Sequence, residues 1–363
     1  MFQVRRQRVG ILQELVGNPV PKHPMDLHKT VEEIVLACPN GEFAVTCSNL
    51  GAAISSIQVG SQELTSLPPN WMQDSVRFAG RTCGRLAGRC AKYTLEGFSS
   101  ANEEPLHGGP VGFSHRVWRV VGTYASAQSV RVCFELESEH MDQGHPGAVL
   151  CEVHVIVSML KPLNTPSLAI RFRAKLAEHS PCPSAWVNLT NHVYFSLHPS
   201  ATLRLPRSNQ YFAQHFDTCA VNVPAKWDYC TQTRPLDAGL AELDHCFMLP
   251  QGEAAPETLV AVELSLLGLC LRIKTSFPAV VVYTNPELNG VCFEAQFPPN
   301  CPHVTGLLKP LLRSGVGKCA AAEESGSEQN LARRLSDLAI VPREFDFDEM
   351  TIHEFHLVGK GDT

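Results

Sequence analysis

The chain has 363 residues, of which 44% are hydrophobic, 18% charged and 7% aromatic, with a formal charge of −6 at pH 7. This is the composition of a globular protein with room for a large core, not of a collagen-like or disordered chain. The mild acidity speaks against the basic stripe of a dedicated nucleic-acid binder, and no apolar run approaches the roughly 20 residues of a membrane helix.

In chain order, Arg5, Arg6 and Arg8 come first, with no acid before Glu14. They are expected to form a frayed, solvated terminus within an N-terminal extension, residues 1–30. Residues 31–363 are expected to form a single domain. A period of two then dominates. Phe43, Val45 and Cys47 alternate with Ala44 and Thr46, and Val130, Val132, Phe134 and Leu136 with Arg131, Cys133 and Glu135. The same pattern runs from Val149 to Leu160, through Ile170 and Phe172, and through Leu269, Leu271 and Ile273. One apolar and one polar face marks half-buried antiparallel strands. Gly, Pro and Asn clusters separate the runs, as at Pro68-Pro69-Asn70 and Pro298-Pro299-Asn300. Lys318 to Asp337 breaks the pattern. Leu331, Leu335 and Leu338 share a helical face, and Ser325 with Glu328 has capping-box spacing, which predicts one short helix in a surface insertion at about 309–348. A β-like stretch, Thr351 to Val358, closes the chain. The fold class is all-β, a sandwich or barrel with few short helices.

The 14 cysteines are scattered through apolar runs such as Val132-Cys133-Phe134. They read as small hydrophobes in a reduced, cytoplasmic setting rather than as a disulfide framework. Cys301-Pro302-His303 and the pair Cys83 and Cys90 lack the repeated spacing of zinc sites, so no metal is expected.

Four segments are polar where a plain β protein would be apolar. Leu106-His107-Gly108-Gly109 suits a loop that brings backbone close to a ligand. Asn188-Leu189-Thr190-Asn191-His192-Val193-Tyr194-Phe195 mixes polar and aromatic residues, and Asp244-His245 sets an acid beside a histidine. Glu294 is the one carboxylate in the apolar strand Val291 to Gln296. An ionised carboxylate there must be paired, protonated or in a cleft. Taken singly, each has a structural alternative: a hydrogen-bonded histidine, a turn-capping aspartate, a glutamate bridged to an arginine.

Their order is the stronger signal. Asn40-Gly41-Glu42, Asn49-Leu50-Gly51-Ala52, Gly84-Arg85-Leu86-Ala87-Gly88-Arg89, Leu106-His107-Gly108-Gly109 with Trp118, Leu189 to Phe195, Asp244-His245, Tyr283-Thr284-Asn285 and Phe293-Glu294-Ala295-Gln296 follow one another over most of residues 40–305. Together they resemble the aldose 1-epimerase family, the galactose mutarotases. The resemblance implies a large antiparallel β-sandwich, the galactose mutarotase-like supersandwich. It also implies interconversion of the α and β anomers of a free hexose such as glucose or galactose, with no cofactor. By the same resemblance Glu294 is the general base and His192 the general acid. His107 binds the ring-oxygen side, and Arg89 and Asp244 hold sugar hydroxyls. Such chemistry needs an acid and a base together, because ring opening takes a proton from one oxygen and gives one to another. Burial should raise the Glu294 pKa, and that of His192 is tunable, which would bring both near neutrality. The implied partner is a monosaccharide, with no nucleic acid and no membrane, and the chain is expected to be a monomer or weak homodimer.

The chain departs from the family at Gly88, where an asparagine is usual, and at Val281, where a glutamine is usual. Pro299 replaces an aspartate, and the long insertion replaces a Pro-Gly turn. Two other readings stay open. One is a hexose-6-phosphate 1-epimerase, for which Arg85 and Arg89 could take the phosphate. The other is a sugar-binding protein that has lost turnover.

Overall fold

The structure is a computed structural model and describes residues 2–15, 23–73, 78–95, 98–101, 105–213, 217–236, 243–250, 260–266, 268–304, 311–312 and 347–357. The principal strands, in chain order, begin with β1 (Gln3–Ile11), β2 (Thr30–Ala37), β3 (Phe43–Ser48) and β4 (Ala53–Val59). There follow β5 (Arg119–Ala125), β6 (Ser129–Ser138), β7 (Val149–Leu160) and β8 (Thr165–Leu176). Next come β9 (Tyr194–Ser196), β10 (Gln210–Phe212), β11 (Asp244–Met248) and β12 (Val260–Leu266). The last are β13 (Leu269–Thr275), β14 (Ala279–Asn285), β15 (Gly290–Gln296) and β16 (Phe347–Leu357).

These strands build three main antiparallel sheets. β1 to β4 and Gln62–Glu63 form a five-stranded meander. A nine-stranded sheet runs Arg234–Pro235, Thr202–Arg204, β12, β13, β16, β8, β7, β6, β5, and a six-stranded sheet runs β9, β15, β14, β11, β10, Val221–Asn222. The fold is therefore the expected large antiparallel β architecture. Alternation explains the packing. Val132 pairs with Val155 and Val155 with Ile170, while Phe134 pairs with Val153 and Val153 with Phe172. One apolar ladder thus crosses three strands on one face. It shares a single core cluster with Ile34, Leu36, Phe43 and Val45 of the meander and with Val280, Val282, Val291 and Phe293 of the six-stranded sheet. Each such side chain contributes about 1.5–3 kcal/mol when fully buried.

The arginine-rich start is not frayed. β1 pairs along β2, with Arg5 opposite Val35 and Arg8 opposite Glu32, and Arg6 Nε donates to Glu32 Oε2 at 2.7 Å. Residues 3–11 therefore belong to a sheet instead of standing apart as an extension. An edge strand held by backbone pairing, with most side chains exposed, leaves no apolar alternation to read. The closing strand sits in the middle of the nine-stranded sheet, between β8 and β13. The predicted helix within Lys318 to Asp337, like most of the insertion at 309–348, lies outside the described residues. All described cysteines are free, and most are buried.

A buried ionic network ties the N-terminal region to the segments that precede β5 and follow β6. The fully buried Asp26 carboxylate accepts from Arg116 Nε and from the Val117 N–H, both at 2.9 Å, and pairs with Lys29 Nζ at 2.7 Å. Arg116 Nη1 reaches Asp142 Oδ2 at 2.9 Å, which also accepts from Ser138 Oγ. Desolvation works to raise the Asp26 pKa, but Lys29, Arg116 and the Val117 N–H outweigh it, and the net shift is downward. Removing one member of such a network strands the others. Asp26→Ala is expected to lower stability by about 3–5 kcal/mol, read as a lower denaturant midpoint. An unchanged midpoint would show that the network contributes nothing.

Candidate functional site

The site begins with the pleat of β15. Val291, Phe293 and Ala295 enter the core, so Cys292, Glu294 and Gln296 face the other way. Register with β14 and β11 then builds three rows on that face. Asp244, Tyr283 and Cys292 form the first, Cys246, Val281 and Glu294 the second, and Met248, Ala279 and Gln296 the third. Phe212 of β10 extends the second row and Tyr194 of β9 the first. All of these residues but Cys292, Met248 and Ala279 line a cavity of about 860 Å³, Glu294 among them.

The histidines come from two loops that fold over this floor. His192 follows the bridge of Thr190–Asn191 to Thr82–Cys83. Its N–H donates to the Arg81 carbonyl, its carbonyl accepts from the Gly80 N–H, and Asn191 Nδ2 donates to the Gly80 carbonyl. Its Nε2 lies 3.4 Å from Glu294 Oε1. His107 arrives through the Arg89–Leu106 bridge. Its N–H donates to the Gly88 carbonyl at 2.9 Å, and the Gly88 N–H donates back to its Nδ1 at 3.2 Å. The two imidazoles meet edge to face, 5.5 Å between centroids, and Phe78 packs against both. The diglycine has a different purpose from the one expected. Gly108 has φ +87°, and a Cβ there would lie 2.1 Å from the Gly84 carbonyl oxygen. It lets backbone approach backbone, which sets the height of His107 over the floor.

Electrostatics follows from burial. Glu294, His192 and His107 are each at least nine-tenths buried. Desolvation, helped by Asp244, pushes the Glu294 carboxyl up to about 8, against a weak S–H bond from Cys292 Sγ at 3.7 Å. Desolvation pushes His192 down to about 4. The expectation that both lie near neutrality therefore fails for His192, which has no charged partner strong enough to offset its burial. The two groups touch, so they titrate as a pair, and the opposite directions of their shifts leave it one proton near neutrality, resting on the carboxyl. Desolvation, then His192, Arg89 and His115, hold His107 well below the usual imidazole range. His107 is thus neutral. Its Nδ1 accepts from Gly88, so its Nε2 carries the hydrogen and is a donor. The ligating atoms of His107, His192 and Glu294 lie within 4.8 Å of one another. With its Nδ1 engaged by the Gly88 N–H, His107 offers its Nε2–H to the cavity as a hydrogen-bond donor.

The other residues singled out from the sequence divide. Arg89 and Asp244 line the cavity, Arg89 half-buried and Asp244 exposed at the rim. Gly88, Val281 and Pro299, where the chain departs from the family pattern, line it too. Arg85 does not. Its guanidinium is fully buried and donates to the carbonyls of Pro146 and Gly147 at 3.1 and 2.6 Å and of Ser138 and Glu139 at 3.2 and 3.0 Å. The His245 side chain lies on the opposite face of the strand from that of Asp244, where its Nδ1 accepts from the Asp244 N–H at 3.2 Å and its ring packs on Trp227 and Tyr211. Phe78 and Phe212 were not legible as site residues, because an aromatic residue in a loop or short strand carries no sign of which surface it covers.

The Glu294 shift has a consequence for stability. An acid whose folded pKa lies above its ordinary value contributes fully below that value, and the contribution is lost as pH rises toward the folded pKa. For a rise from 4.5 to about 8 the loss is on the order of a few kcal/mol. His192, shifted down, acts oppositely, losing stability as pH falls from its ordinary value toward about 4. Glu294→Gln is expected to melt above the wild type at about pH 9, with the gap closing toward about pH 5. Parallel melting curves across that range would contradict the desolvated carboxyl.

Comparison with known proteins points one way. The aldose 1-epimerase family model matches residues 34–315. An aldose 1-epimerase of Escherichia coli (strain K12) is 33% identical over 172 residues, 44% of this chain and 46% of that protein, so the match spans about half of its length. The galactose mutarotase of Mus musculus is 26% identical over 79% of this chain and 91% of its own. That of Pongo abelii is 34% identical over 66% of this chain and 75% of its own. Among solved structures, a galactose 1-epimerase from Lactobacillus acidophilus NCFM superposes with a TM-score of 0.70 over 98% of this chain and 99% of that one, at 18% identity. With its family model covering most of the described strands and its fold shared with that structure, the chain belongs to the aldose 1-epimerase family.

Proposed function

We propose that this chain is an aldose 1-epimerase that interconverts the α and β anomers of a free hexose such as glucose or galactose. The observation that carries the reading is the Glu294–His192 pair: a carboxyl and an imidazole 3.4 Å apart in the lining of one sugar-sized cavity. The anomeric hydroxyl and the ring oxygen are bonded to one carbon, so an acid and a base a few ångström apart reach both at once. In the form of the pair that carries its proton on His192, Glu294 takes the hydroxyl proton while His192 delivers one to the ring oxygen, and the C1–O bond breaks to give the open aldehyde. Rotation about C1–C2 presents the other carbonyl face. Reclosure returns both protons, so the pair ends as it began and no external acid or base is consumed. The neutral His107 Nε2–H donates toward the ring-oxygen side. Arg89 and Asp244 hold hydroxyls through charge-assisted hydrogen bonds.

The lining charges favour a free sugar over a sugar phosphate. Arg85 is spent on carbonyls, and Arg89 shares the cavity wall with Asp244 and Glu287. Two acids would repel a phosphate dianion. No described helix is long and apolar enough to cross a membrane, and the free buried thiols suit a reducing compartment, which we take to be the cytoplasm.

Polarimetry of freshly dissolved α-glucose and α-galactose tests the reading. The wild type is expected to speed the drift to equilibrium, and Glu294→Gln to lose roughly 10²–10⁴-fold of that acceleration. Baseline rates with both sugars would overturn the assignment, whether or not the sugars bind.

A further inference from the structure

The third row of the cavity floor ends in an amide that nothing in the fold uses. Gln296 is fully buried, and neither its Oε1 nor its Nε2 has a hydrogen-bond partner among the described residues. Its row neighbours, Ala279 and Met248, offer no side-chain polar group. The side chain is not there by slackness of the backbone. The next residue, Phe297, is clamped through its N–H and carbonyl by the Asn188 side chain, both at 3.0 Å. An amide has two donor hydrogens and an acceptor oxygen, and buried polar groups are nearly always paired. This one lies in the cavity wall, two residues and so about 7 Å along the strand from Glu294, a separation that a hexose ring with its hydroxyls spans.

The opposite wall meets the amide with backbone alone. Gly88 has φ +75°, and a Cβ there would stand 3.4 Å from Gln296 Nε2 and 3.2 Å from Pro299. A side chain at this position would press on the amide and on Pro299, which glycine avoids. Val281 is likewise apolar in the neighbouring row. The Gln296 amide is thus the polar group of the floor on the side of Glu294 away from Asp244.

We propose that Gln296 binds a hydroxyl of the substrate and sets the preference of this site among free hexoses. The inference rests on the sugar-binding reading of the cavity but not on turnover. A site with a buried amide waiting for a hydroxyl rejects a sugar that lacks it, because the amide is then left unpaired in the complex.

The test is a binding titration, by saturation-transfer NMR, of glucose and galactose and of the deoxyhexoses lacking each ring hydroxyl in turn. Wild type and the near-isosteric Gln296→Met are compared, with mutarotation followed separately by polarimetry. The wild type is expected to bind one deoxyhexose about tenfold or more weakly than its parent. Gln296→Met is expected to bind parent and deoxy sugar alike, at the weaker level, and to melt no lower than the wild type because an unpaired amide has been removed. Two results overturn the proposal: a wild type indifferent to every deoxyhexose, or a variant that keeps the full discrimination, whether or not it binds all sugars more weakly. The first needs no variant, so a poorly folding Gln296→Met does not shield the idea. If hexoses bind with this pattern but no mutarotation is seen, the epimerase assignment fails and the role of Gln296 stands.

Discussion

A carboxyl group held out of water beside an imidazole is the constraint on which the rest of this site depends. Glu294 sits on a strand whose other face belongs to the core, so it cannot move toward solvent without disturbing Phe293 and Ala295. No guanidinium or ammonium neutralises it at contact distance among the described ion pairs. Its close neighbours are His192 and the Cys292 thiol. A thiol is a weak donor, and an imidazole with its own pKa depressed is a reluctant cation. In its ionised form the carboxyl is therefore basic enough to take a proton from a sugar hydroxyl, which a salt-bridged carboxylate near its ordinary pKa would do far less readily.

Keeping such a group costs stability, and the surrounding structure supplies it. His192 is fastened on both backbone sides by the segment Gly80–Arg81, and Arg81 in turn donates to the carbonyls of Trp71 and Met72 at 2.7 and 3.0 Å. Arg85 gathers the loop carbonyls around residues 138–147. The Asp26–Arg116–Asp142 network secures the approach from the other side. The cations closest to the site in sequence thus serve mostly as staples for loops, which leaves Arg89 to face the cavity. Rigid placement of acid and base within hydrogen-bond reach is what makes their proximity effective.

Much of this was legible from residues alone. Alternation located the strands of the nine-stranded sheet, and the lone carboxylate between Val291 and Gln296 stood out because an apolar strand has no ordinary use for one. Periodicity could not bring His107 and His192 over Glu294. These residues are separated by long stretches of chain and meet only through sheet register and loop closure, so their grouping came from the resemblance in motif order. Other features had no sequence signature. β1 is an edge strand whose exposed side chains mask its pairing. Arg85 and Arg89 look equivalent on paper, but burial sends one to backbone carbonyls and the other to the cavity. The unpaired state of Gln296 depends on what its neighbours lack, and the opposite displacements of the Glu294 and His192 pKa values depend on burial that no local pattern encodes.

The most direct test of the shared-proton pair is the pH profile of kcat/KM for glucose mutarotation. If Glu294 and His192 carry one proton between them, the profile is flat between limbs near pH 4 and pH 8. Below the lower limb both groups are protonated and the base is lost; above the upper limb both are deprotonated and the acid is lost. A profile that keeps rising past about pH 9, or that falls with a single limb near the ordinary histidine value, would contradict the account.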